Sequence, residues 1–216
     1  MTVNRLPKQA RAKTMPPNIG IDLHWLPLGA GGNFVRLNGW VYEAVAARLE
    51  HRPVLELYHS AVEVFLPDGC YVIEQTPVIN NDGPVRGVVA EGPVGARWAG
   101  RWRIFRYEVR RWRNGWIPDV KEAVDSPRRL TNDLGHARRL LEMVPLVPIL
   151  VWGRDQARTG EMWNSNSVIA WLLESSGLDV DRVKPPSGGR APGWNAGIVM
   201  ARRQSRVSHP AIADSH

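Results

Sequence analysis

The stretch VLELYHSAVEVFLPDGCYVIEQTPV, Val54 to Val78, decides the fold. Val54 to Leu66 is rich in Val and Leu and reads as a strand. Pro67-Asp68-Gly69 is a turn signal, because proline presets one backbone angle and glycine tolerates a left-handed one. Cys70 to Val78 then returns as a second strand, making an antiparallel hairpin. The register decides which polar residue shares the face of His59. A three-residue turn pairs Leu66 with Cys70 and brings Gln75 to that face. A two-residue Asp68-Gly69 turn pairs Pro67 with Cys70 and brings Glu74 instead. Pro-Asp-Gly leans toward the three-residue form.

Working outward, Trp40 to Leu49 carries Val41, Ala44, Val45 and Leu49 on one helical stripe, with Asn38 as N-cap. Arg101 to Trp112 reads as a third strand, closed by Asn114-Gly115. Thr131 or Asn132 caps a helix through Met143. Val168 to Leu173 is the apolar part of a short helix that stops near Gly177. Gly188 to Gly197 is loop, and Ile198 to Ala201 is a last strand. Helices and antiparallel hairpins in mixed order predict an α+β fold with an antiparallel sheet, not a doubly wound parallel one.

The chain has 216 residues, enough for one domain with a substantial core. The polar, basic segment 1–18 and the segment 204–216 are expected to be disordered tails around a single domain, 19–203. Apolar runs such as Met143 to Trp152 are too short to span a bilayer, and no secretory signal follows the basic N-terminus. The single cysteine, Cys70, excludes an internal disulfide and fits a reducing cytoplasm. It lies at the hairpin tip, well over about 15 Å along the strand from His59, and is expected to be structural.

Gly29-Ala30-Gly31-Gly32 lacks both the Walker and the dinucleotide spacing, so no nucleotide cofactor is expected. His24, His51, His59, His136, His209 and His216 show no i,i+4 pair on a predicted helix, so no metal site is expected either. The net charge of +7 attracts anions of any kind. From Arg97 to Arg113 the cations alternate with Trp98, Trp102, Phe105, Tyr107 and Trp112. Aromatic platforms between cations suit nucleic acid, but a strand roofed by arginine stems has the same composition. In a continuous strand Phe105 and Tyr107 would face away from Trp102 and Trp112.

The sharper constellation joins two distant segments. Tyr58-His59-Ser60-Ala61-Val62 puts a histidine at the head of a strand. Trp163-Asn164-Ser165-Asn166-Ser167-Val168 opens an apolar helix with small polar residues. A nucleophile on the first turn of a buried helix feels the positive end of the dipole and free N–H groups, which can serve as an oxyanion hole. A strand histidine can then act as base. Equally, Ser and Asn are preferred helix caps and would cap this helix whatever the protein does.

These two motifs resemble those of the permuted papain-like families, the circularly permuted NlpC-type peptidases and lecithin retinol acyltransferase-like proteins. There a histidine strand precedes a helix that opens with Asn-Cys-x-x-Phe. Ser165 stands at the cysteine position and Val168 at the aromatic one, similar to an Asn-Ser-Asn-Ser/Thr-Phe variant of bacterial relatives. The resemblance implies a papain-like arrangement and transfer or hydrolysis of an acyl group from a peptide or small-molecule amide or ester. It implies Ser165 as nucleophile, His59 as base, Gln75 or Glu74 as orienter, and Asn164 or Asn166 as an oxyanion donor. A serine hydroxyl is not ionised near neutral pH, so His59 would have to take its proton during attack. A pocket that binds without chemistry, a nucleic-acid or anion-binding module centred on Arg97–Arg113, and a structural partner protein are the other expectations.

Overall fold

The computed structural model describes residues 19–28, 55–78 and 87–208. The expected helix over 40–49, its Asn38 cap, the 29–32 glycine loop, the 1–18 tail and His51, His209 and His216 lie outside the described residues.

Among the described residues, seven strands and three helices make a mixed α+β fold. The strands are β1 (Gly20–Pro27), β2 (Glu56–Leu66), β3 (Gly69–Pro77), β4 (Val88–Pro93), β5 (Arg106–Arg113), β6 (Val124–Thr131) and β7 (Gly189–Arg190). The helices are α1 (Leu134–Met143), α2 (Ser165–Ser175) and α3 (Trp194–Ser208). Six strands form one antiparallel sheet in the order β4-β5-β3-β2-β1-β6, and β7 pairs parallel with the start of β2. Pro127 falls on the edge strand β6, where a missing N–H costs no ladder bond on the open side.

Strand alternation sorts the sheet into two faces. Ile21, Leu23 and Trp25 on β1, Tyr58, Val62 and Val64 on β2, Ile73 on β3 and Tyr107 and Val109 on β5 join the main core with the helices. Leu26, Ala61 and Val72 point the other way, into a smaller cluster with Ile117. The helix α2 is apolar on all sides because it is buried on all sides, from Ser165 through Leu173. Its neighbour α3 approaches so closely at Gly197 that a Cβ there would meet the Ser167 carbonyl oxygen at 2.1 Å. No described helix is long and apolar enough to cross a membrane.

Five expectations need correction. The β2–β3 turn is Pro67-Asp68, so Leu66 pairs with Gly69 and Phe65 with Cys70, one residue away from the three-residue register and two from the Asp68-Gly69 register. The Asp68 carboxylate accepts the Tyr71 hydroxyl at 2.7 Å, which holds the tight form. The segment 97–105 is not strand but two 3-10 turns, and β5 begins only at Arg106. Ile198 to Ala201 is helical, because Trp194, Ile198 and Ala201 recur at i, i+4 and i+7 on the side packed against the core. That helix runs through residues 204–208 of the expected tail, where the Trp171 indole donates to Gln204 at 2.7 Å. The cap of α1 is Asp133, which accepts the His136 N–H at 2.8 Å, rather than Thr131 or Asn132.

Candidate functional site

The Asn164-to-Ser167 helix start is a lock with three of its four side chains engaged. Asn164 is the N-cap of α2, and its Oδ1 accepts the N–H groups of Asn166 and Ser167 while Ser167 Oγ accepts the Asn164 N–H. The Asn164 amide also donates to the Pro192 carbonyl at 2.8 Å, and Ser167 Oγ donates to Gly193 O at 2.7 Å. Asn166 reaches the sheet. Its Nδ2 donates to Tyr58 O and Pro192 O, both at 2.9 Å, and its Oδ1 accepts the Ser60 hydroxyl at 2.9 Å. The two motif segments therefore do meet in space, through Ser60 and Asn166.

His59 and Ser165 are not the residues that meet. Ser60 faces α2, and β2 pairs continuously with β1 from Tyr58 to Phe65, so its neighbour His59 projects from the opposite face. Its cross-strand partner there is Leu26, a member of the smaller cluster. No hydrogen bond links the His59 ring to Ser165. The Ser165 hydroxyl, buried at the first turn of α2, makes no hydrogen bond at all among the described residues. It has the dipole end of a helix beside it and no base in contact.

The two proposed orienters separate in the same way. Gln75 lies on the helix side, its amide nitrogen and oxygen both buried without a partner. Glu74 shares the His59 face, but its Oε1 accepts from Arg110 Nη1 at 3.3 Å. Cys70 sits opposite Phe65, six residues along β2 from His59, a separation of roughly 20 Å by strand rise.

That second face holds an unexpected set of charges. Arg110, itself buried, donates through Nε and Nη2 to Glu108 Oε2 at 2.9 and 2.8 Å as well as to Glu74. His24 Nε2 lies 3.1 Å from Glu63 Oε2, and its buried Nδ1 finds no partner. Asp22 takes two bonds from Arg129 at the β1–β6 edge. Sequence reading missed this network because it missed β1. The signal was present in Ile21-Asp22-Leu23-His24-Trp25-Leu26, where alternation puts Asp22 and His24 on one face.

Burial on this face pushes the His59 imidazole from 6.5 down to about 4. The folded pKa lies below the unfolded one. The stabilisation from keeping His59 neutral is therefore complete above pH 6.5 and is lost as pH falls toward 4. Urea titrations should show His59→Gln losing about 2 kcal/mol less stability than the wild type between about pH 7.5 and pH 5. Parallel pH profiles for the two proteins would refute a buried neutral imidazole.

Solvent meets chemistry elsewhere, on the 97–105 turns between β4 and β5. Trp98 is 62% exposed, Trp102 50% and Ile104 75%, with Phe105 also exposed. Arg97, Arg101 and Arg103 are exposed among them, and no Asp or Glu occurs from Gly92 to Tyr107. The rings pack edge to face, Trp98 to Trp102 at 5.7 Å and Trp102 to Phe105 at 6.5 Å, with the Arg101 guanidinium 6.0 Å from the Trp102 ring. The backbone beneath is pinned. Val94 N–H donates to Phe105 O at 2.8 Å, and Arg106 Nε donates to Gly100 O at 2.6 Å.

No family model, curated protein or solved structure matches this chain. Function must therefore be argued from this geometry. The described residues contain no group of three His, Cys, Asp or Glu side chains placed to hold a metal. The buried charges of the second face pair with one another, whereas Arg97, Arg101 and Arg103 on the 97–105 turns are exposed.

Proposed function

We propose that this protein is a binding module for anionic partners, engaged through the arginine- and tryptophan-rich turns at 97–105. The observation that carries this is the exposure of Trp98, Trp102 and Ile104 on a segment that also exposes Arg97, Arg101 and Arg103 and has no carboxylate of its own; Arg106, which follows it, pairs with Glu91. Burying such side chains on folding would have been favourable, so leaving them in water marks a surface kept for a partner. Cations at the same level set the sign of that partner.

Acyl chemistry at Ser165, which the resemblance implies, is the weaker reading. His59 lies across the sheet from it, and no described side chain accepts its proton. What favours a papain-like ancestry is the contact of a histidine-bearing strand with an Asn-Ser-Asn-Ser helix start through Ser60 and Asn166. That arrangement does not require activity and is compatible with the binding role.

Elution from immobilised heparin tests the proposal. Changing Arg97, Arg101 and Arg103 to Gln should lower the eluting salt clearly more than changing Arg138, Arg158 and Arg206, exposed arginines elsewhere. Equal shifts would mean that net charge alone is read and would remove the turns as the site.

A further inference from the structure

We infer that the anionic partner of the 97–105 turns is a lipid surface, docked by insertion of Trp98, Trp102, Ile104 and Phe105 among anionic headgroups. The inference rests on the anion-binding reading and narrows its partner. Three features separate lipid from nucleic acid. Ile104 is the most exposed of the four and has no π-face on which a base could stack. The aromatic rings pack edge to face, at 86° and 77°, into one apolar knob and not into a ladder of parallel platforms for successive bases. The arginines alternate with the apolar residues along the turns, so their stems can lie along an inserted knob while the guanidiniums stay at headgroup level.

The position fits as well. The turns link β4, the edge strand of the sheet, to β5 and carry their large side chains exposed. Trp and Arg are the side chains that settle at a membrane interface, the first for its amphipathic ring and the second for anionic headgroups. A short apolar knob gives reversible attachment, and interfacial binding needs no spanning helix.

The test is co-sedimentation of the full chain with vesicles of phosphatidylcholine alone, or mixed with phosphatidylglycerol at about three to one. A fluorescent oligothymidylate and heparin serve as parallel ligands. The mixed vesicles should bind at least about tenfold more protein than the neutral ones, with a blue shift of tryptophan emission. Two variants with unchanged circular dichroism should each lose at least about fivefold of this binding. They are Trp98→Ala/Trp102→Ala/Ile104→Ser and Arg97→Gln/Arg101→Gln/Arg103→Gln. Oligothymidylate binding without vesicle binding would overturn the lipid assignment and leave the anion-binding reading intact. Vesicle binding undiminished in both variants would also overturn it. Binding to none of the three ligands would overturn both.

Discussion

Asn166→Ala should lower the stability of the fold by about 3–5 kcal/mol in urea denaturation, the largest effect of any change in the Asn164–Ser167 segment. The reason is what the side chain leaves behind. Its amide is the hydrogen-bond partner of the Ser60 hydroxyl and of the Tyr58 carbonyl, and both lie inside the protein. Removing it orphans a hydroxyl and a strand carbonyl, each at a cost of about 1–3 kcal/mol, and unties α2 from β2. The Pro192 carbonyl loses one of its two donors and keeps Asn164. Asn166→Asp should be at least as harmful near neutral pH, because it turns a carboxylate oxygen toward two carbonyl oxygens. Ser165→Ala is the contrast. Its hydroxyl makes no hydrogen bond among the described residues, so the change should cost less than about 1 kcal/mol. Similar costs for Asn166→Ala and Ser165→Ala would show that the lock is not carried by Asn166.

The contrast also separates structure from chemistry within one tetrapeptide. A capping box needs only the N-cap and N3 side chains, which Asn164 and Ser167 supply. Ser165, the first helical residue, is not part of that cap, and its hydroxyl makes no hydrogen bond among the described residues. His59 does not face it, because alternation gives the helix side of β2 to Ser60. The joint between strand and helix is made through Asn166, which bonds Ser60 and Tyr58, and not through His59 and Ser165.

How much was legible follows from period and range. The β2–β3 hairpin and α2 were readable because each is a long apolar run bounded by local signals, Pro67-Asp68-Gly69 and Gly177. The register was not readable, because a Tyr71 hydroxyl and an Arg113 guanidinium that grip the Asp68 residue choose the turn length. Residues 101–105 read as the start of β5 because their composition continues into it without a break. Only the packing of Ala99 beneath the turns and the bond from Arg106 to Gly100 mark where the strand begins. β6 was missed because Val124 to Thr131 is half polar and runs along an edge. The face of His59 was predictable only jointly with its partner strand, and β1 is that partner.

The buried charges on the second face lead to the other large effect. Arg110→Met should destabilise the protein by about 3–5 kcal/mol at neutral pH. The guanidinium is shared by Glu108 and Glu74, and all three groups are largely withdrawn from water. Taking the cation away leaves two carboxylates on neighbouring strands facing each other in a poorly solvated place, which is where the cost arises. The attraction lost is the smaller part. Two further measurements distinguish these contributions. Replacing the whole set, as Glu74→Leu/Arg110→Met/Glu108→Leu, should recover most of the loss, since no charge is left to desolvate. Acid should also narrow the gap between Arg110→Met and the wild type, because protonation neutralises the stranded carboxylates in the variant. A triple variant as unstable as the single one would mean that Arg110 acts by packing alone. A gap that stays constant down to about pH 4 would mean the same, and the network would then be a consequence of the fold without a role in holding it.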